Sequence, residues 1–331
     1  MNPRQEPEPC RVAIVGAGSM AREHLRAFAD VPGVVLCGIS SRTRARAETL
    51  ASGWPGLEVY DSIEELYHRT RADLVVICVS ATATRQVSDD CFRYPWTVLL
   101  EKPPGLNLGE ALEIQVSALR WKTRVLVALN RRLYSSTLAM KDDLKARDEP
   151  RFIHVQDQQD LRYDAGPNRE PEVVRNWMYA NSIHLVDYLL LLGRGKVQSV
   201  TPILPWDPVS PGVVLTRVEF DSGDTGLYEG LWNRPGPWAV SATTADVRWE
   251  MRPLEQATFQ RRGSRAREHV DVHPWDMAFK PGFRLQAEET IAAVRGKPCR
   301  VATLDEAFAS MILIAAIFGH HVTLPAGVQL P

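Results

Sequence analysis

Through the first 130 residues, short apolar runs alternate with segments of helical spacing. Val12–Val15, Val34–Ser40, Ala72–Val79, Trp96–Leu100 and Arg124–Leu129 are each too short for a buried helix and read as strands covered on both faces. Between them, Met20–Ala29 carries Leu25, Phe28 and Ala29 on one side, a second helix opens after Ser41, and a third covers Asn107–Leu119. Such alternation predicts a parallel sheet. From Arg151 the period falls to two. Phe152 begins a strand, and runs at 197–204, 212–220, 224–232, 238–243, 246–252 and 256–261 follow without intervening helices. The alternation in Leu215–Phe220 suits an antiparallel sheet with one covered face, and Asp221–Asp224 is a hairpin signal. Helices are predicted over Ser135–Ala146, from Ser182 to Gly193, and twice in the tail. There Phe283, Ala287, Thr290 and Val294 form one core stripe, and Ala307, Met311, Ile314 and Ile317 another. The expected class is α/β plus α+β. A parallel sheet with helices on both faces occupies residues 1–131, and a mostly antiparallel open sheet with helices on one face occupies 132–331.

The break after the first strand carries the first chemical signal. Gly16 and Gly18 let the backbone turn tightly and approach a ligand without a Cβ in the way. The helix that follows aims free N–H groups at an anion. Gly16, Gly18 and Ala21 fill the three small positions of the dinucleotide fingerprint of a Rossmann domain. Ser19 and Met20 complete the loop, and Ser80, closing the run at 72–79, is a further expected cofactor contact. After the second strand, an acid would bond a ribose 2′-hydroxyl and select NAD, whereas an arginine accommodates a 2′-phosphate. This chain has Ser41 and Arg42 there, with Arg44 nearby. NADP is the favoured cofactor and NAD the alternative, since these arginines also serve simply to solvate a helix start.

Composition narrows the class. A hydrophobic fraction of 45% with 24% charged residues is ordinary for a soluble protein. A net charge of −1 argues against nucleic-acid binding. Leu189–Leu192 and Met311–Phe318 are too short to span a bilayer. The polar, proline-rich start has no apolar signal core, so a cytoplasmic location is expected. The five cysteines form no metal spacing, and no metal is expected.

Trp96–Leu100 ends in Glu101-Lys102-Pro103, at the strand end where a parallel sheet collects its ligands. Pro103 removes an N–H and fixes the backbone beside Lys102. In the second half, His184 and Asp187 lie three apart near a helix start and share a face. The helix dipole there disfavours the imidazolium, so His184 is expected to stay neutral near pH 7. Asp187 either fixes its tautomer or forms a merely structural couple with it.

The GAGSM turn, His24, the EKP tripeptide at 101–103 and the strand leading into Asn130-Arg131-Arg132 together resemble the Gfo/Idh/MocA family of sugar and cyclitol oxidoreductases. The H-x-x-D spacing before a leucine-rich helix resembles its second motif. The resemblance implies that Lys102 lies between nicotinamide and substrate, that Glu101 contacts the cofactor ribose, and that His184 exchanges a proton beside the substrate. It also implies substrate contacts at Lys102, Asn130, Arg131, Asn181, His184 and Asp187, and a homodimer or homotetramer through the second sheet. Two departures stand out. Thr84 replaces a frequent histidine, and Ala180 replaces the aspartate often found four residues before the motif histidine. Acid–base work would then fall on Lys102 and His184, with Asn181 orienting the substrate. Arg131 and Arg132 suit either a pyrophosphate or solvent. Trp177 and Tyr179 suit a sugar face, though a core role is favoured. The expected activity is NADP(H)-dependent hydride exchange with a sugar or nucleotide-sugar. A non-catalytic NAD(P)-binding regulator, favoured by Ala180, and a redox-neutral epimerase or lyase remain alternatives.

Overall fold

A computed structural model describes residues 8–161 and 170–320. The first half alternates as its pattern requires: β1 (Cys10–Val15), α1 (Ser19–Ala29), β2 (Val34–Ser40), α2 (Arg44–Ala51), β3 (Glu58–Tyr60), α3 (Ile63–Thr70), β4 (Leu74–Ile77), α4 (Ala81–Phe92), β5 (Thr97–Leu100), α5 (Leu108–Trp121) and β6 (Val125–Val127). These strands are parallel in the order 6-5-4-1-2-3, so strand order reverses between β4 and β1. Ligands of such sheets bind beside that switch point. The β3 and α3 elements were not predicted, because three half-exposed residues offer no apolar run.

After a 3₁₀ turn (Asn130–Leu133) come α6 (Ser135–Lys145), β7 (Phe152–Gln159), α7 (Pro171–Arg175), a π-helical turn (Met178–Ser182) and α8 (Ile183–Leu192). The second sheet continues with β8 (Val197–Leu204), β9 (Val213–Phe220), β10 (Thr225–Trp232), β11 (Trp238–Thr243), β12 (Val247–Met251), β13 (Ala257–Arg261) and β14 (Glu268–His269). Its order is 14-13-12-11-7-10-9-8. All its pairs are antiparallel except β7 with β10, which run together from Phe152/Thr225 to Gln159/Trp232. The alternating pattern gives a strand's faces but not its direction. Helices α6 and α8 cover one face.

The chain ends with α9 (Pro274–Ala278), α10 (Phe283–Val294), β15 (Ala302–Thr303) and α11 (Leu304–Ile317). These bind the halves together. β15 adds an antiparallel edge beside β6, so the first sheet is not confined to residues before 132. Phe283, Ala287 and Ile291 of α10 share a buried cluster with Ile14, Leu25 and Phe28.

One ion pair fixes the junction. Arg132 is 7% exposed, and its Nε and Nη2 donate to the two carboxylate oxygens of Asp187, both at 2.7 Å. Its Nη1 reaches Glu306 of α11, and Ser310 Oγ donates to Asp187 as well. Burial works against the Arg132 charge, but Asp187 and then Glu306 more than restore it. The structure therefore corrects two expectations. Asp187 is neither the partner of His184 nor free for substrate, and Arg132 meets neither pyrophosphate nor solvent.

Removing one partner of such a pair strands a buried charge, at a cost of about 3–5 kcal/mol. Asp187→Ala should therefore lower the chemical-denaturation midpoint sharply. A loss below about 1 kcal/mol in denaturant titration would contradict this account.

Candidate active site

The dinucleotide loop is shaped by contact with the next strand. Gly16 has φ +115°, and a Cβ on it would collide with the Cys78 carbonyl after β4. Gly18 differs. It is the N-cap of α1, and a Cβ there would meet nothing within 4 Å. No side chain caps α1, and no acid lies in its first turn. The same holds for α4, whose N-cap is Ser80. By contrast, α3, α5 and α11 each have a side-chain cap and an acid in the first turn. Two helix ends with unspent donors thus flank the switch point, and an anion satisfies them. Ser19 and Met20 open α1, and Ser41 and Arg42 follow β2 on the same edge of the sheet. These residues fit a dinucleotide. Arg44 is committed to Glu48 and Asp61. Arg42 is exposed, and among the described residues no acid pairs with it.

At the end of β5, the Glu101 carboxylate takes up two neighbours. His24 Nε2 lies 2.7 Å from its Oε1, and the Lys102 backbone N–H donates to Oε2 at 3.2 Å. His24 is almost fully buried against Phe283, so it locks α1 to the strand end. The Lys102–Pro103 peptide is cis. The Lys102 ammonium reaches across to the second half and donates to the Ala180 carbonyl at 2.8 Å.

Ala180 lies in the π-helical turn, a local widening that recurs at functional sites because it perturbs the backbone hydrogen bonds. The turn runs straight into α8, so His184 does not sit at a free helix end as expected. It is 7% exposed, and its Nδ1 is buried without a protein partner. Burial, then the charges of Arg131, Lys102 and Lys280, hold its pKa well below the ordinary imidazole range. The predicted neutral state stands for this different reason, with no dipole needed.

Arg131 and Arg132 diverge although adjacent. Arg131 is partly exposed and lies over the Trp238 ring, with its Cζ 4.1 Å from the centroid. Its backbone carbonyl accepts from Tyr188 of α8 at 3.2 Å. Asn130 is buried, and its amide donates to Pro281. Asn181 donates to Gln159 Oε1, which also accepts from Trp177 Nε1. Trp177 and Tyr179 are core side chains. Lys102, Arg131, Asn181 and His184 thus converge between the two halves, while Asp187 sits behind them with Arg132. Sequence reading missed Trp238, Gln159 and Lys280. The first two reach the site only through strand register, since Trp238 pairs with Asp157 and Gln159 with Trp232. Lys280 contacts Met20 Sδ at 3.6 Å, across nearly the whole chain. Among the described residues, no group of three or more His, Cys, Asp or Glu could hold a metal ion. No described helix is long and apolar enough to cross a membrane.

Comparison with known proteins gives this geometry a class. Residues 10–129 match the family model described as "Oxidoreductase family, NAD-binding Rossmann fold", that of the Gfo/Idh/MocA proteins. The rhizopine catabolism protein MocA of Rhizobium meliloti is 26% identical over 41% of this chain, a match spanning 42% of MocA's own length. Inositol 2-dehydrogenase 2 of Paenarthrobacter aurescens is 23% identical over 95% of this chain and 96% of its own. The solved UDP-N-acetylglucosamine 3-dehydrogenase GnnA of Acidithiobacillus ferrooxidans shares the fold, with TM-score 0.76 at 16% identity over 94% of this chain and 97% of that one. The protein is an oxidoreductase with an NAD-binding Rossmann half. Its residues 10–129 are the NAD-binding domain of the Gfo/Idh/MocA family.

The neutral state of His184 has a consequence for stability. Its folded pKa lies below the unfolded value of about 6.5, so under mild acid the unfolded chain takes up a proton that the folded one refuses. Its contribution to stability is complete above that value and is lost as pH falls, by up to about 1.4 kcal/mol per pH unit. His184→Gln should melt with a shallower dependence between pH 7 and 5. Parallel melting curves for variant and parent across that range would refute the assignment.

Proposed function

We propose that the protein is an NADP(H)-dependent dehydrogenase that interconverts an alcohol and a carbonyl on a sugar or nucleotide-sugar. One arrangement carries this reading: a neutral, buried His184 with Lys102 at the mouth of β5 and Arg131 alongside. The names of the relatives, an inositol dehydrogenase and a UDP-sugar dehydrogenase, support the polyol or sugar class. When bound, the dinucleotide exchanges the hydride. The protein must then move the hydroxyl proton. His184 is fit to accept it because its imidazole is unprotonated in the working range. Lys102 holds the same oxygen with its ammonium and screens the charge that develops there. Arg42, exposed and with no acid partner among the described residues, supports the choice of NADP(H) through charge-assisted bonds to a 2′-phosphate. A cytoplasmic location fits this reading.

The test is turnover of a panel of sugars and nucleotide-sugars with NADP⁺ and of their keto forms with NADPH. Lys102→Ala and His184→Ala should each lose about 10²–10⁴ in rate with little change in cofactor affinity. Arg42→Ala should erode an NADPH preference of about tenfold, or about 1.4 kcal/mol. Wild-type turnover in His184→Ala removes the proton assignment. Binding of NADPH without turnover of any panel member would favour the regulatory reading.

We further infer a homodimer, or a dimer of dimers, through the helix-free face of the second sheet. Along β7, β9 and β10 buried residues alternate with half-exposed or exposed ones, and the latter line that face. A monomer in light scattering at micromolar concentration would contradict it.

A further inference from the structure

Three cations, Arg131, Lys102 and Lys280, act on His184. Along the π-turn and α8, Lys102 binds the carbonyl of residue 180, four residues before His184. The backbone carbonyl of Arg131 accepts from Tyr188, four residues after it. The charges of both residues act on the imidazole.

Each neighbouring carboxylate is already committed. Glu101 holds His24 and a backbone N–H. Asp187 is filled by Arg132 and Ser310. Asp276 accepts from the backbone N–H groups of Ser135 and Gly282. Asp157 is fully buried between Gln159 Nε2 at 2.5 Å and Tyr228 Oη at 2.7 Å. Burial pushes its carboxyl toward the neutral form. Position 180, another place for an acid, is alanine.

The Arg131 guanidinium meets the Tyr134 hydroxyl and acts on Asp157 only at longer range. Among the described residues, no carboxylate lies within ion-pair distance of it, and its Nη1 is buried with no acceptor. A guanidinium lying over the Trp238 ring is also held in place beside the site, and its fork suits a two-point contact with an oxyanion. A buried donor without a partner is costly, more so when charged, and an acceptor carried by the ligand would satisfy Nη1.

Building on the dehydrogenase reading, we propose that the substrate carries an anionic oxygen group, a carboxylate or phosphate, which Arg131 binds through its fork while the reacting carbon faces Lys102 and His184. Sugar acids and sugar phosphates, including the pyrophosphate of a nucleotide-sugar, share that chemistry. Neutral hexoses and cyclitols lack it.

The experiment titrates the NADP⁺-bound protein calorimetrically and assays turnover with matched sets: glucose, glucuronate, glucose 6-phosphate and UDP-glucose, and the same four forms of galactose and mannose. At least one anionic member should bind, or turn over with kcat/KM, ten times better than its neutral parent. Comparing the carboxylate, phosphate and pyrophosphate members identifies which anion it is. Arg131→Met should abolish that advantage while leaving NADP⁺ affinity within twofold, and Arg131→Lys should recover part of it. Equal treatment of neutral and anionic members overturns the proposal, as does an anionic preference that survives in Arg131→Met. A panel with no binder does so too. Turnover of neutral sugars alone would remove this proposal and leave the dehydrogenase reading intact. Anion binding through Arg131 without turnover would do the reverse.

Discussion

The buried contact between Arg132 and Asp187 is the constraint on which the active geometry depends. Desolvating two charges costs several kcal/mol each, and the cost is recovered only when geometry and further hydrogen bonds are good. Here the guanidinium is used bidentately by Asp187, with Glu306 on its third nitrogen and Ser310 on the carboxylate. Three separate parts of the chain must therefore arrive together: the turn after β6, α8, and α11. Because Arg132 is fixed, Arg131 has one place to go. Because Asp187 is fixed, α8 has one rotation about its axis, and that rotation sets His184. The pair thus behaves less as a source of net stability than as a specifier of register between the two halves.

A second constraint concerns unspent donors. Three of the helices around the first sheet are closed by their own sequence, through Ser62 on α3, Asn107 on α5 and the capping box of Thr303 and Glu306 on α11. Helices α1 and α4 are not, and they stand on either side of the strand-order reversal. Capping is worth about 1 kcal/mol where it is made. Leaving it unmade at two neighbouring ends gives up stability in exchange for a site that favours anions. Gly18 keeps the approach open, while Gly16 lets β1 turn against the carbonyl after β4.

How much of this was legible in the sequence depended on whether a residue's partner was local. The strands of the first sheet are buried on both faces and announced themselves as unbroken apolar runs. Those of the second showed their single covered face by alternation, and all six predicted ranges match β8 to β13 closely. What escaped were the short strands β3, β14 and β15, and the parallel pairing of β7 with β10, which no local pattern encodes. In the candidate site, Gly16, Lys102 and His184 stood in motifs whose chemistry is local. Asp187 was misread because its true partner lies 55 residues away, whereas His184 is one turn off. Trp238 and Gln159 carry no motif at all. Their roles follow from register alone.

The departure at residue 180 ties these threads together. A carboxylate there would stand on the residue whose carbonyl takes the Lys102 ammonium, four residues before His184, and would add negative charge to the site. It would favour the protonated imidazole and pair with the nearest cation. With alanine, Lys102 turns instead to the backbone carbonyl of the same residue, and His184 is left among positive charges with its proton affinity reduced. The imidazole is thereby kept unprotonated and open to a proton, as a weaker base than a free histidine. The same substitution leaves the pocket electropositive. Low local dielectric makes that imbalance expensive to leave alone, so the missing charge is most economically brought in by the ligand itself. Burial first, and then charges that no acid at residue 180 offsets, keep the histidine neutral.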